Sequence, residues 1–206
     1  MKFFITIIII SFSFCSNFIP PNYKQINYSQ VFFSWPQISS SDSYLLILSE
    51  DENFTQADTS FVSSNSILYP EFLNWDTRYF WKVCSESIVE NCHPSIEFFI
   101  NPLPDYHADQ ITVNTINEQE YSNGINILDF ESLGYSLALN RHGDPIWYTE
   151  KENFNMGQII VTQFLENGNF VGFSNGRGYE FNIDSDIIFE VPIEYSIHHE
   201  IRKTNN

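Results

Sequence analysis

The chain has 206 residues, enough for one large domain or two small ones. Its 26 acidic residues against 9 Lys and Arg give a formal charge of −17, which argues against nucleic-acid binding, because phosphate contacts need clustered cations. Aromatic residues make up 17% of the chain, so there is ample apolar surface to bury and disorder is not expected. Three Cys are too few for a disulfide-rich miniprotein or a multi-cysteine zinc module.

Residues 1–16 have the pattern of a secretory signal peptide. Lys2 precedes an uncharged apolar run over residues 3–14. A run of about a dozen residues is too short to cross roughly 30 Å of hydrocarbon as a helix. We therefore predict cleavage near residues 13–17, with an uncleaved anchor as the alternative.

Export predicts a secreted or periplasmic protein without a transmembrane helix after cleavage. Cys15 raises the alternative of a lipid anchor and a membrane-anchored lipoprotein, although Phe14 stands where a lipoprotein signal needs a small residue. The sequence that follows, Asn-Phe-Ile-Pro-Pro, predicts an extended linker.

The remainder of the chain shows all-β patterning, with short alternating apolar runs and frequent turn residues. A first region spans about residues 27–101. Its candidate strands are Val31–Trp35, Tyr44–Leu48, Ser66–Tyr69, Arg78–Ser85 and Ile96–Ile100.

This first region resembles a fibronectin type III module, a β-sandwich. The resemblance rests on a Trp in an early strand, a Y-x-L-x-L strand, a Leu, and then a Y-x-W-x-V strand: Trp35; Tyr44, Leu46 and Leu48; Leu73; Tyr79, Trp81 and Val83. We interpret these aromatic residues as core and not as a ligand platform.

Cys84 and Cys92 lie eight positions apart between two strand-like runs. In an oxidising compartment, the two thiols can form a disulfide that closes a hairpin. Two unpaired buried thiols are the alternative.

Residues 102–123, beginning at Pro102 and Pro104, are predicted to be a linker or an edge strand. From about Gly124 the pattern is a regular meander, which suggests a β-propeller. One four-stranded blade is predicted over residues 157–192, with strands Gln158–Leu165, Asn169–Phe173, Gly178–Ile183 and Ile187–Val191. Residues 134–149 are predicted to be outer strands of the preceding blade.

Three motifs in this second region occur in the order seen in one enzyme family. They are NRHGDPIWY at 140–148, LENGN at 165–169 and HHEI at 198–201. In this order they resemble the start of the bacterial arylsulfotransferase (aryl-sulfate sulfotransferase) propellers, although Asn140 stands where the family has an acid. The fold expected for residues 124–206 is therefore the first one to two blades of an incomplete propeller.

The resemblance implies sulfuryl transfer between phenolic compounds through a channel histidine, without a cofactor. It assigns His198 and His199 to the channel as catalytic residues that support the sulfated histidine and do not themselves carry the sulfate. Neighbouring residues on a strand face opposite ways, so one ring is expected to face the channel. The substrates implied for a complete propeller are small aryl sulfates and phenols. The alternative is an accidental histidine pair.

The other candidate site residues have weaker support from the sequence. His142 is predicted to be exposed in a hairpin turn, and His93 and His107 to lie in loops. No metal-ligand spacing is present, and Asp184-Ser185-Asp186 is interpreted as a turn in preference to a calcium site. Arg177 is interpreted as a turn residue that could face a sulfate.

Length limits the enzyme interpretation. A closed six-bladed ring needs roughly 250 residues at about 40 per blade, against about 80 after Gly124. We therefore expect a truncated product or a fragment that is inactive alone. The alternative is a non-catalytic extracellular fibronectin-like module for binding or adhesion.

Overall fold

The computed structural model describes residues 17–86, 91–104, 112–114, 124–130, 134–154 and 157–204. Within these ranges the chain forms fourteen strands in four separate sheets, and one 3-10 turn at Lys151–Phe154. The all-β prediction is confirmed.

The N-terminal module contains the first seven strands. A five-stranded sheet has the order β1-β7-β6-β3-β4, and β2 pairs with β5 in a separate ribbon. The strands are β1 Lys24–Ile26, β2 Phe32–Ser34, β3 Tyr44–Ser49, β4 Asp58–Val62, β5 Ser66–Leu68, β6 Thr77–Ser85 and β7 Ile96–Ile100.

The core of the N-terminal module lies between the ribbon and the larger sheet. Tyr79, Trp81 and Val83 alternate inward along β6 and are buried. The ring of Phe33, on the ribbon, meets that of Trp81 edge-on at 5.1 Å. Trp35 is fully buried as well. The interpretation of these aromatic residues as core is confirmed, because period-two alternation places them on the single covered face.

The predicted N-terminal linker is wrong. Ile19 and Ser34 exchange two backbone hydrogen bonds of 2.9 Å, and the ring of Phe18 packs edge-on against Trp81. Strands β1 and β4 were also not predicted. β1 has only three residues, and β4 is mostly exposed and rich in polar residues, so neither shows a clear alternation.

The C-terminal module contains two meanders. The three-stranded sheet has the order β10-β9-β8, and the four-stranded sheet has the order β11-β12-β13-β14. The strands are β8 Asn126–Phe130, β9 Tyr135–Leu139, β10 Pro145–Tyr148, β11 Ile160–Phe164, β12 Phe170–Ser174, β13 Arg177–Phe181 and β14 Ile187–Glu190. The four strands predicted over residues 157–192 form in that order, with bounds that differ by up to two residues.

Two hairpin turns in this module have the same geometry at positions 42 residues apart. In the β9–β10 turn, Asn140 donates its amide to the Asp144 carbonyl at 2.9 Å and its Nδ2 to Asp144 Oδ2 at 3.0 Å. In the β13–β14 turn, Asn182 makes the same two bonds to Asp186, each of 3.1 Å. The chain therefore repeats a structural unit that is not obvious from residue identity.

The flanking strands repeat with the same offset. Trp147 lies opposite Ala138 in the three-stranded sheet, and Phe189 lies opposite Glu180 in the four-stranded sheet. Both hairpins also have a register shift just before the aromatic residue. We call β8–β10 sheet one and β11–β14 sheet two.

The two modules meet through a segment that precedes β2. Tyr28 forms an antiparallel bridge with Trp147, and the Ser29 amide donates to the Ile146 carbonyl at 3.0 Å. Residues 27–29 thus cover the outer edge of β10. This contact joins the two modules. Residues 102–123, predicted to be a linker or an edge strand, lie mostly outside the described residues.

Candidate functional site

His198 and His199 lie in an irregular segment that follows sheet two, not on a strand. Both side chains are exposed. Their rings contact each other, with His198 Nδ1 2.7 Å from His199 Nε2. The expectation that they face opposite ways is wrong, because it required the alternation of a strand.

Contacts on both sides of the histidine pair hold this segment against sheet two. On one side, the Ile197 amide donates to the Gly176 carbonyl at 2.8 Å. On the other, Thr162 Oγ1 donates to the Ile201 carbonyl at 2.6 Å. Gly178 leaves the space that Ile201 fills, since a Cβ there would lie 2.2 Å from Ile201 Cδ1.

A shallow cleft of about 300 Å³ adjoins His198. It is lined by the ends of β11 and β12, including Ile160 and Phe173, and by Asn175 of the β12–β13 turn. Among the described residues, the lining contains no Lys or Arg. These residues therefore offer a mixed polar and apolar surface and an imidazole, but no cation for an anionic ester.

Nearby cations are already paired with acids. Glu200 accepts a hydrogen bond from Arg202, and Lys203 Nζ lies 2.6 Å from Glu180 Oε2. The hydrogen bond from Lys203 lowers the pKa of Glu180, with a second contribution from Asn169. Two imidazoles in contact can act as nucleophile and base, because one ring can accept the proton that the other releases.

The other predicted histidines lie elsewhere. His142 is exposed in the β9–β10 turn, where its amide donates to Asn140 Oδ1 at 2.8 Å, as predicted. His93 Nε2 lies 2.9 Å from the Pro36 carbonyl oxygen, and its ring packs edge-on against Phe18. His107 lies outside the described residues.

The turn interpretation of residues 184–186 is confirmed by the hairpin bonds described above. Ser185 is fully buried at a φ of 63°, and its Oγ accepts a hydrogen bond from the Glu150 amide at 3.0 Å. Arg177 lies in β13 and pairs with Glu190 of β14, so a neighbouring strand holds its guanidinium.

Cys84 and Cys92 form the predicted disulfide. They face each other across the ends of β6 and the strand-like segment before β7. Backbone hydrogen bonds flank the pair. The Ser85 amide donates to the Asn91 carbonyl at 2.9 Å, and the His93 amide donates to the Val83 carbonyl at 2.8 Å. This is a non-hydrogen-bonded antiparallel pair, in which side chains approach most closely.

A polar cluster at the junction of the modules was not predicted. Lys24 Nζ lies 3.2 Å from Asp184 Oδ2, and Asn101 Nδ2 donates to Glu150 Oε1 at 2.9 Å. Burial, with the nearby Asp184, raises the pKa of Tyr28. Burial likewise raises the pKa of Glu150. No local motif predicts this cluster, because its members come from four separate parts of the chain.

Among the described residues, no group of three or more His, Cys, Asp and Glu is placed to hold a metal ion. Nor does any helix in the described ranges have the length and apolar character to span a membrane. The chain matches no protein-family model, no curated protein and no solved structure.

Proposed function

We propose that this chain is the N-terminal portion of an exported aryl-sulfate sulfotransferase. It comprises a signal peptide, a fibronectin type III-like module and the first sheets of a β-propeller. The function is transfer of a sulfuryl group from one phenol to another, and the donor and acceptor are small aryl sulfates and phenols.

The observation that carries the proposal is the structural repeat of 42 residues between the turns at Asn140 and Asn182. Propeller blades repeat at about 40 residues and are antiparallel meanders, as sheet two is. The repeat falls in the region where the sequence motifs resemble the arylsulfotransferases. The repeat supports the fold of the family, whereas the chemistry rests on the resemblance alone.

His198 and His199 are the residues proposed for the chemistry. A neutral imidazole can attack sulfur or accept a phenolic proton. In the described chain the pair is exposed beside an open cleft without a cation. We expect further sheets to enclose the site, because a reacting group displaced by about 1 Å can lose roughly 100-fold in rate.

The test is transfer from 4-nitrophenyl sulfate to phenol. We expect residues 16–206 alone to show no transfer. A longer protein that also includes the further propeller sheets should catalyse it. In that longer protein, His199→Ala should lower the rate of transfer, whereas His142→Ala, which removes an exposed turn histidine, should leave it intact. Turnover by residues 16–206 would contradict the need for further sheets, and full activity of the longer His199→Ala protein would remove His199 from the mechanism.

The second candidate is a non-catalytic extracellular binding module. A cavity of about 880 Å³ in the N-terminal module favours it, lined by Tyr69, Phe72, Tyr79 and the acidic residues Glu50 and Asp51. This cavity is far larger than the cleft beside His198. Binding of a ligand that is lost on Phe72→Ala but kept on His199→Ala would favour this candidate.

A further inference from the structure

The outer face of sheet two carries a large apolar surface around Phe189. This side chain is 55% exposed, and Ile188 beside it is 56% exposed. Together with Val171, Val191 and Ile201, they line a cavity of about 540 Å³. An apolar surface of this kind on a folded chain marks a site of contact with another protein surface, a membrane or a ligand.

The structural repeat shows what covers the equivalent surface. Trp147 occupies in sheet one the position that Phe189 occupies in sheet two, opposite residues that are also 42 apart. Trp147 is only 4% exposed because it stacks on Phe170 of sheet two, at 4.6 Å and nearly parallel. Sheet two therefore buries the face of sheet one that carries Trp147.

The backbone bonds that join sheet one to the start of sheet two have a counterpart after sheet two. Where it crosses from sheet one into β11, the Ile159 carbonyl accepts a hydrogen bond from Ser136 Oγ at 2.7 Å, and the Val161 amide donates to Asp129 Oδ1 at 3.2 Å. Both acceptor and donor are satisfied by side chains of the preceding sheet.

Ile201 and Lys203 lie 42 positions after Ile159 and Val161, and the same two backbone groups bond to side chains of sheet two. Both side chains come from β11, which has no counterpart in sheet one, and not from the positions equivalent to Ser136 and Asp129. The Ile201 carbonyl accepts from Thr162 Oγ1 at 2.6 Å, and the Lys203 amide donates to Gln163 Oε1 at 2.9 Å. Residues 201–203 therefore bond to the sheet that precedes them through the same backbone groups as residues 159–161 do.

We propose that the face of sheet two around Phe189 is a docking surface for a third sheet of the same repeat, whose first strand begins at residues 201–203. The occupant presents an aromatic side chain in the position of Phe170, and that ring stacks on Phe189 as Phe170 stacks on Trp147. The argument rests on repeated geometry and holds whether or not the chain takes part in sulfuryl transfer.

The test supplies such a sheet from the chain itself. Because residue 203 is equivalent to residue 161, residues 1–203 followed by a second copy of residues 162–204 continue the repeat in register. The matched control joins residues 1–203 to residues 163–204, which omits one residue and turns the added side chains to the wrong face. Ile188→Cys in a Cys15→Ser background reports exposure through its rate of maleimide labelling.

We expect labelling of Cys at 188 to slow by about tenfold or more in the in-register protein relative to the 206-residue chain and to the control. Labelling of Phe61→Cys, at a 73% exposed position on β4, should not change. Equal labelling at 188 in all three proteins would overturn the proposal. Concentration-dependent protection in the 206-residue chain itself, with dimers in sedimentation, would overturn it in favour of a second copy as occupant.

Discussion

Asn27 and Tyr148 bond to each other twice across the junction of the two modules. The Tyr148 amide donates to the Asn27 carbonyl at 3.1 Å, and Asn27 Nδ2 donates to the Tyr148 carbonyl. Asn27 is 1% exposed and Tyr148 is 9% exposed. Buried polar groups that satisfy each other in this way fix the relative position of the elements that carry them.

Asn27→Ala should therefore destabilise the whole chain. It removes the donor of the buried Tyr148 carbonyl, and an unsatisfied buried acceptor costs about 1–3 kcal/mol. Urea unfolding should show that loss in the free energy of unfolding. Asn53→Ala, at an exposed loop position, is the matched control and should be close to neutral. Equal free energies of unfolding for the two variants would mean that the bonds between Asn27 and Tyr148 contribute little to stability.

Removing the disulfide should destabilise the N-terminal module. In the chain-entropy model, a cross-link between residues eight positions apart contributes about 2–3 kcal/mol. The double variant Cys84→Ser, Cys92→Ser should lose this amount relative to the oxidised protein. Non-reducing peptide mapping should recover the linked pair, and two free thiols in exported protein would contradict the structure.

Glu150 should make stability depend on pH. Burial raises the pKa of its carboxyl in the folded protein, so the folded state binds a proton more tightly than the unfolded state does. Stability should then fall as pH rises from the unfolded pKa of about 4.5 through the folded value. Glu150→Gln should remove this dependence and raise the melting temperature at pH 7, while the two proteins converge below about pH 4. A lower melting temperature for the variant at pH 7 would contradict this reading.

Gly178→Ala should loosen the segment that carries the histidine pair. The added Cβ would lie 2.2 Å from Ile201 Cδ1 and 2.9 Å from Val191 Cγ2, so both side chains must move. Hydrogen exchange at the amides of Ile197 and Lys203 should quicken by about tenfold or more. Gly124→Ala is the control, since no atom lies within 4 Å of its added Cβ. Unchanged exchange in Gly178→Ala would show that Ile201 does not hold the segment.

Export should leave Phe18 on the mature protein. Its ring packs against Trp81 and His93, and the next residue bridges Ser34, so a later cut would remove part of the core. Intact mass of protein from an exporting host should correspond to cleavage near residues 13–17. A mass that retains Met1, or a mature chain that starts after Phe18, would contradict the prediction.

Local patterns predicted most of the strands, and none of the contacts of the histidine pair. β6 was predictable because Tyr79, Trp81 and Val83 alternate within it. The turn at Asp186 was predictable because Asp and Ser favour that chemistry locally. The position of His198 depends on Thr162 and Gly178, which are distant in the chain and bear no local signal.

The sequence by itself determined the all-β class and the order of the strands in sheet two, and it predicted the pairing of Cys84 with Cys92. These follow from side-chain alternation and short separations, which act over a few residues. Only the tertiary structure decided that residues 27–29 cover the edge of β10 and that Trp147 is buried where Phe189 is exposed. It alone decided that residues 201–203 bond to sheet two through the same backbone groups as residues 159–161 bond to sheet one. Those relationships depend on which surfaces meet after the strands have formed, so no pattern along the chain contains them.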